Sequence, residues 1–183
     1  MKTKNLLLST GLAALGLATA VTAFAVSKSE INERVTTAVG EFHALNPANK
    51  ALGEKSAGML IFPHVTKGGV GVAAEYGEGV LQIDGKTVGY YSVGAASVGL
   101  TVGLAKHSEI IMFMTKDSLA DFRKTKGWSI GANAGITVVT AGASGEYDSK
   151  IEQKPILGFI YGEKGLIADL SFEGEKISKI KSK

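Results

Sequence analysis

The chain has 183 residues, 24 of them Gly, 3 Pro and no Cys, with 20 basic against 17 acidic side chains. Gly is about 13% of the chain, nearly double the roughly 7% of average proteins, yet the 45% apolar fraction is ordinary for a folded globular chain and excludes collagen-like and disordered classes. The absence of Cys excludes a disulfide framework, a thiolate nucleophile, Cys-ligated zinc, iron–sulfur clusters and lipid attachment through cysteine.

Residues 1–25 open with Lys2 and Lys4, continue as an uncharged run from Leu6 and end Ala23-Phe24-Ala25. A basic start, an apolar middle and a small-x-small end predict a secretory signal peptide cleaved after Ala25, or alternatively after Ala23. The competing reading is an uncleaved membrane anchor, but Ser9, Thr10, Gly11, Gly16, Thr19 and Thr22 dilute the run. Cleavage removes two lysines and no acid, leaving 18 basic against 17 acidic residues and a net charge of +1. Such a chain lacks the basic domain or stripe of a nucleic-acid binder. Residues 26–183 are expected to form one domain, periplasmic or secreted, without a lipid anchor.

The mature start predicts a helix. Ser27 stands as N-cap with Glu30 close behind, and Ile31, Val35, Ala38, Val39, Phe42 and Leu45 recur at spacings of three and four. Pro47 ends that helix, because the residue before a proline avoids the α region, and a shorter helical piece follows over Ala48 to Lys55.

From Ser56 the texture turns to β-branched and small residues broken by Gly. Strands are predicted near 57–62, 69–76, 79–83, 87–92, 95–105 and 108–114, then near 129–140, 143–148, 156–161, 168–172 and 176–180. Asp84-Gly85 and Glu163-Lys164-Gly165 sit where hairpin turns are expected. One helix interrupts the series, capped by Thr115 or Asp117, with Leu119 and Phe122 inward, Lys124 and Lys126 near its end and Gly127 as its stop.

Gly inside a strand costs stability and marks a bulge, a bend or a close approach. Gly69 and Gly71, Gly77 and Gly79, Gly99 and Gly103, and Gly131 and Gly135 each share a strand face by the two-residue period. The expected fold class is α+β: a strongly curved or barrel-like antiparallel β-sheet, with an N-terminal amphipathic helix covering it and one inserted helix. A transmembrane barrel uses the same texture, but 13 aromatics and few strands of about ten residues fit it poorly.

Motifs for chemistry are weak. Gly79 to Thr87 imitates a phosphate loop with one residue too many and no helix to open, so a hairpin is the better reading. Ser97 lies in an elbow-like Ala95-Ala96-Ser97-Val98-Gly99, but inside a long β pattern; His107, Asp117 or Asp121 would be its partners. His43, His64 and His107 are scattered and form no HExxH pair, so they read as surface or packing residues. Glu75 and Glu78 read as solvated acids at a bend. No catalytic residue, metal ligand or cofactor is expected. The apolar stripe of the first helix either packs on the sheet, the usual role of such a stripe, or lies in a membrane interface.

A series of segments resembles the SYLF (Ysc84-like) lipid-binding domain: Ala57 to Pro63, Lys67 to Gly71, Glu75 to Leu81, Gly89 to Tyr91 and Ser97 to Leu100. It continues through Phe113 to Thr115 into Leu119 and Phe122, Gly127-Trp128, Pro155 to Tyr161, Lys164 to Leu166 and Leu170 to Gly174. The resemblance implies lipid binding without catalysis. By family pattern the membrane-facing residues are Ile31, Arg34, Val35, Val39 and Phe42 of the first helix, with Lys67, Lys106, Lys124 and Lys126 as a basic patch. It implies a phospholipid membrane or lipid headgroups as partner, with anionic headgroups attracted only modestly by a near-neutral chain. Actin is not expected for an exported bacterial member, and a homo-oligomer is open. The alternative function is a structural or stress-related envelope protein working through protein contacts.

Overall fold

The computed structural model describes residues 26–139, 147–165 and 171–181. The expected signal peptide, most of the strand expected at 143–148 and much of that at 168–172 lie outside the described residues.

Helix α1 (Lys28–Leu45) starts where Ser27 accepts a hydrogen bond from Glu30 N at 3.2 Å, and it buries Ile31, Val35, Ala38 and Phe42. Asn46 is extended, as a residue before proline must be, and its side chain accepts from Ala48 N at 2.9 Å to cap α2 (Pro47–Lys55). Pro47 therefore ends one helix and begins the next, at a first-turn position where no N–H is needed.

The six strands expected between residues 57 and 114 are two. Strand β1 (Gly58–Ile83) and strand β2 (Lys86–Phe113) form one long antiparallel hairpin, turning at Asp84 (φ 51°) and Gly85 (φ 70°). Two successive left-handed residues make the tight turn whose twist matches the flanking strands. The glycine clusters do not end the strands; they bend them. Register shifts fall between Phe62 and Val65, Val70 and Val72, and Leu81 and Gln82, so the ladder curls without breaking.

The far edge of β2 is shared. Strand β6 (Lys176–Lys179) pairs with Tyr91–Gly94, and strand β5 (Ile156–Gly165) pairs with Ala105–Phe113, both antiparallel. Strand β3 (Trp128–Ser129) adds to β6, and strand β4 (Thr137–Val138) adds to β5 in parallel. The hairpin then folds back over itself: a Cβ on Gly77 would stand 2.9 Å from His64 O, and one on Gly79 would stand 2.0 Å from Ile61 O. The result is the strongly curled, half-barrel sheet of an α+β fold, antiparallel but for the β4–β5 pair.

Strand alternation sorts the apolar side chains into two layers. Leu60, Phe62, Leu81, Ile111 and Phe113 point inside the curl, where they meet Phe122 of helix α3 (Lys116–Lys124) and Trp128. Ile61, Val80, Ile110, Met112, Leu157 and Phe159 point outside and are covered by α1 and by Leu52 of α2. Thr115, not Asp117, caps α3, accepting from Ser118 N at 3.1 Å.

Three further expectations change. Of the strand expected over 129–140 only its two ends are extended, and Gly131 and Gly135 have open space around them instead of a close neighbour. Asn133 explains the break, since its side chain accepts from Ser129 N at 2.7 Å and closes a turn. Residues 163–165 form no hairpin turn but continue β5, with Gly165 opposite Ala105. Asp148, expected at a strand end, instead caps the short helix α4 (Ser149–Glu152) through Lys150 N at 2.9 Å.

Candidate functional site

The membrane-facing role drawn for α1 needs correction on geometry. Ile31, Val35 and Phe42 are buried against the sheet and Val39 is half-buried beside them. The Phe42 ring meets Phe159 edge-on at 4.9 Å and Tyr161 at 5.4 Å, and Tyr161 donates its hydroxyl hydrogen to Ala38 O at 2.8 Å. Burial holds the Tyr161 hydroxyl well above its ordinary range, so it remains a donor. Arg34 is spent within the helix on an ion pair with Glu30.

The expected basic patch is dispersed. Lys67 turns to Glu75, its Nζ 4.0 Å from Oε2. Lys106 is exposed beside the groove described next, whereas Lys124 and Lys126 are exposed at the end of α3 and just beyond it. A groove of about 1360 Å³ runs between α1 and the sheet, where Glu30, Glu33, Glu41 and Glu78 outnumber Arg34 and Lys106. Its acidic rim is a poor receptor for an anionic headgroup. Tyr76 at its edge donates to Glu78 at 2.8 Å, and burial, reinforced by that bond and charge, pushes its hydroxyl up to about 12.

The bend of the β1–β2 hairpin carries what composition alone did not reveal. Val70 faces Val102 and Val72 faces Val98 across the ladder, with Leu104 two residues from Val102. All five are exposed, Val98 at 86% and Val70 at 79%. Contiguous apolar exposure on this scale marks a contact surface in a globular protein. The sequence signal was present as Val-Gly alternation, but β-branched residues in a strand give no hint of which face stays uncovered.

Inside the curl, at the end of the inner layer nearest the bend, lies a cluster of ionisable side chains. His107 Nε2 stands 2.7 Å from Glu109 Oε1 and 3.2 Å from Glu75 Oε1. Glu75, His107, Glu109 and Glu175 are all buried. Burial alone would pull the His107 pKa down, but hydrogen bonds to Glu109 and Glu75, with their charges, outweigh it and lift it to about 9. Burial raises Glu109, opposed by His107. Burial, then the charges of Glu109 and Glu75, lifts Glu175 to about 10. Glu75 is thus no solvated acid, and His107 is more than a packing residue. The spacing His107-x-Glu109 places both on the inner face of β2, but Glu75 and Glu175 arrive from β1 and from the turn before β6, which local motifs do not connect.

The other candidates remain apart. Ser97 is exposed in the ladder opposite Ala73 with strand continuing beyond it, so no nucleophile elbow forms around it. His64 is exposed, and burial lowers the pKa of half-buried His43 with help from Lys50. Gly79 to Thr87 is the closing hairpin. Among the described residues no helix is long and apolar enough to cross a membrane.

A protein-family model described as "Ysc84: Las17-binding protein actin regulator" matches residues 94–183. The match takes in β2 from Gly94 onward, α3, β5 and β6. No curated protein matches the chain.

Proposed function

The chain belongs to the Ysc84 (SYLF) family through residues 94–183, and on that premise we propose that it is a non-enzymatic lipid-binding protein of the bacterial envelope. It rests the bend of its curled sheet on a phospholipid membrane. Val70, Val72, Val98, Val102 and Leu104 enter the interface, and Lys106, two residues beyond Leu104, reaches headgroup phosphates. The observation that carries this reading is the exposure of five aliphatic side chains at one bend, beyond the two covered apolar layers of the sheet. Export by the segment 1–25 brings the protein to that compartment, and there the actin role named for the family has no partner.

The test is co-sedimentation with vesicles of phosphatidylcholine alone and with added phosphatidylglycerol. The protein pellets with both, somewhat more with the anionic vesicles at low salt. Val98→Asp with Val102→Asp abolishes pelleting and leaves the thermal midpoint within a degree or two, because both side chains are exposed. Failure of the unaltered protein to pellet with either vesicle would sink the reading. A stable oligomer in lipid-free buffer that the same double variant dissolves would favour the protein-contact alternative.

A further inference from the structure

We propose that Glu75, His107 and Glu109, with Glu175 beside them, form a binding site for one divalent transition-metal ion inside the curled sheet. The first observation is the spacing of donor atoms. Ligands held about 2.05 Å from a metal stand roughly 2.9 Å apart along an octahedral edge and about 3.3 Å apart along a tetrahedral one. His107 Nε2 lies 2.7 Å from Glu109 Oε1 and 3.2 Å from Glu75 Oε1, close to that spacing, and a ligand atom of each of the three residues lies within 4.8 Å of the other two.

The second observation is independent of the first. Glu175 comes from another part of the chain, is 0% exposed, and no N–H or hydroxyl donor reaches either of its carboxylate oxygens. Its carboxyl instead faces the carboxyl of Glu109, whose Oε2 is likewise buried and without such a donor, so two acids share one proton at most. Buried polar oxygens are almost always satisfied, and orphaned ones at a convergent cluster point to an ion between them.

Charge leads to the same ligand class. Three carboxylates converge within reach of one cation, Lys67, whose Nζ is 4.0 Å from Glu75 Oε2. A dication would displace the protons on His107 and Glu175, and the ion, a neutral imidazole, Lys67 and three ionised carboxylates again sum to zero, so the exchange leaves the interior without net charge. One imidazole with carboxylates suits Zn²⁺, Mn²⁺ or Fe²⁺, whereas Mg²⁺ and Ca²⁺ favour all-oxygen shells and Cu⁺ favours sulfur. The ion would tie β1, β2 and the turn before β6 together, fastening the folded-back hairpin from within.

The experiment strips the purified protein with EDTA and titrates it calorimetrically at pH 7 with ZnCl₂, MnCl₂ and, for comparison, MgCl₂. One equivalent of Zn²⁺ or Mn²⁺ binds, Mg²⁺ does not, and the thermal midpoint rises with metal because ligand binds only the folded state. Glu109→Gln and His107→Gln each weaken binding at least tenfold, the usual loss when a metal site is damaged. If either variant does not fold, X-ray absorption of zinc on the unaltered protein decides: one imidazole among oxygen donors supports the site. Two or more imidazoles, unchanged affinity in a folded Glu109→Gln protein, or no saturable binding with tens of micromolar metal would overturn it.

Discussion

Gly79, late in β1, passes directly over the peptide of Ile61, early in the same strand, so closely that a Cβ at residue 79 would stand 2.0 Å from the Ile61 carbonyl oxygen. This crossing converts a long hairpin into a curled sheet with an interior. It places the second half of β1, which carries Glu75, over the inner face that carries His107 and Glu109.

The crossing makes Gly79→Ala a severely damaging addition of a methyl group. The obstacle is backbone, which cannot swing aside as a side chain can, so the halves must separate. Overpacking on this scale costs about 3 kcal/mol or more. Gly40→Ala is the control: it lies in α1 with open space around it and gains about 0.5–1 kcal/mol from helix propensity. Urea unfolding of both variants reads the contrast, and equal midpoints would show that the crossing is not tight.

Phe42→Ala separates core from membrane roles for α1. The side chain is fully buried against Phe159 and Tyr161, and truncating such a phenylalanine costs about 3–5 kcal/mol. The expected outcome is a large drop in the urea midpoint with vesicle pelleting of the remaining folded protein unchanged. Loss of pelleting at full stability would return the stripe to the membrane.

Much of this molecule was legible before any coordinates. The Ser27 cap, the i, i+3, i+4 stripe from Ile31 to Phe42, the Asp84-Gly85 turn and the Leu119–Phe122 helix are local patterns, fixed by hydrogen bonds and spacing within a few residues. What local pattern does not carry is continuity and side. Glycines at 68, 69 and 71 look like strand ends, yet a ladder partner across the hairpin keeps the chain extended through them. The same limit hid the interior cluster, because Glu75 reaches His107 through the fold-back at Gly77 and Gly79, and Glu175 comes beside Glu109 from the turn before β6. The membrane-facing residues were misplaced for a related reason: an amphipathic stripe reports that one face is covered, not by what.

A tryptophan at the bend reports what the valines touch. The native Trp128 is buried beside Phe122, at 5.3 Å between ring centres, and its emission is fixed by that core. Val98→Trp adds an indole at an exposed position, where lipid shields it from water and shifts its emission to the blue. Vesicles should blue-shift the variant and leave the native protein unchanged. Pelleting without any shift at residue 98 would mean that another surface meets the membrane.

Stability of the metal-stripped protein should fall as pH rises from about 5 to 10, the window set by the two raised groups of the interior cluster. His107 faces Glu109 on its own strand and Glu75 on β1, and its pKa is lifted from 6.5 to about 9. The folded state therefore holds that proton more tightly than the unfolded chain does, and this contribution is complete below 6.5 and lost as pH climbs through about 9. Glu175 faces Glu109, Glu75 and Lys67, and its pKa moves from 4.5 to about 10 because burial and its neighbours' negative charge penalise the anion. Its sign is the same: the fold favours the neutral acid, so stability is full below 4.5 and declines as pH rises through about 10. Urea midpoints at pH 6 and pH 9 check the direction, with the lower value expected at pH 9. In Glu175→Gln, which keeps a neutral side chain of the same shape, the decline should shrink to the His107 part, and an unchanged decline would show that Glu175 does not carry a proton in the folded protein.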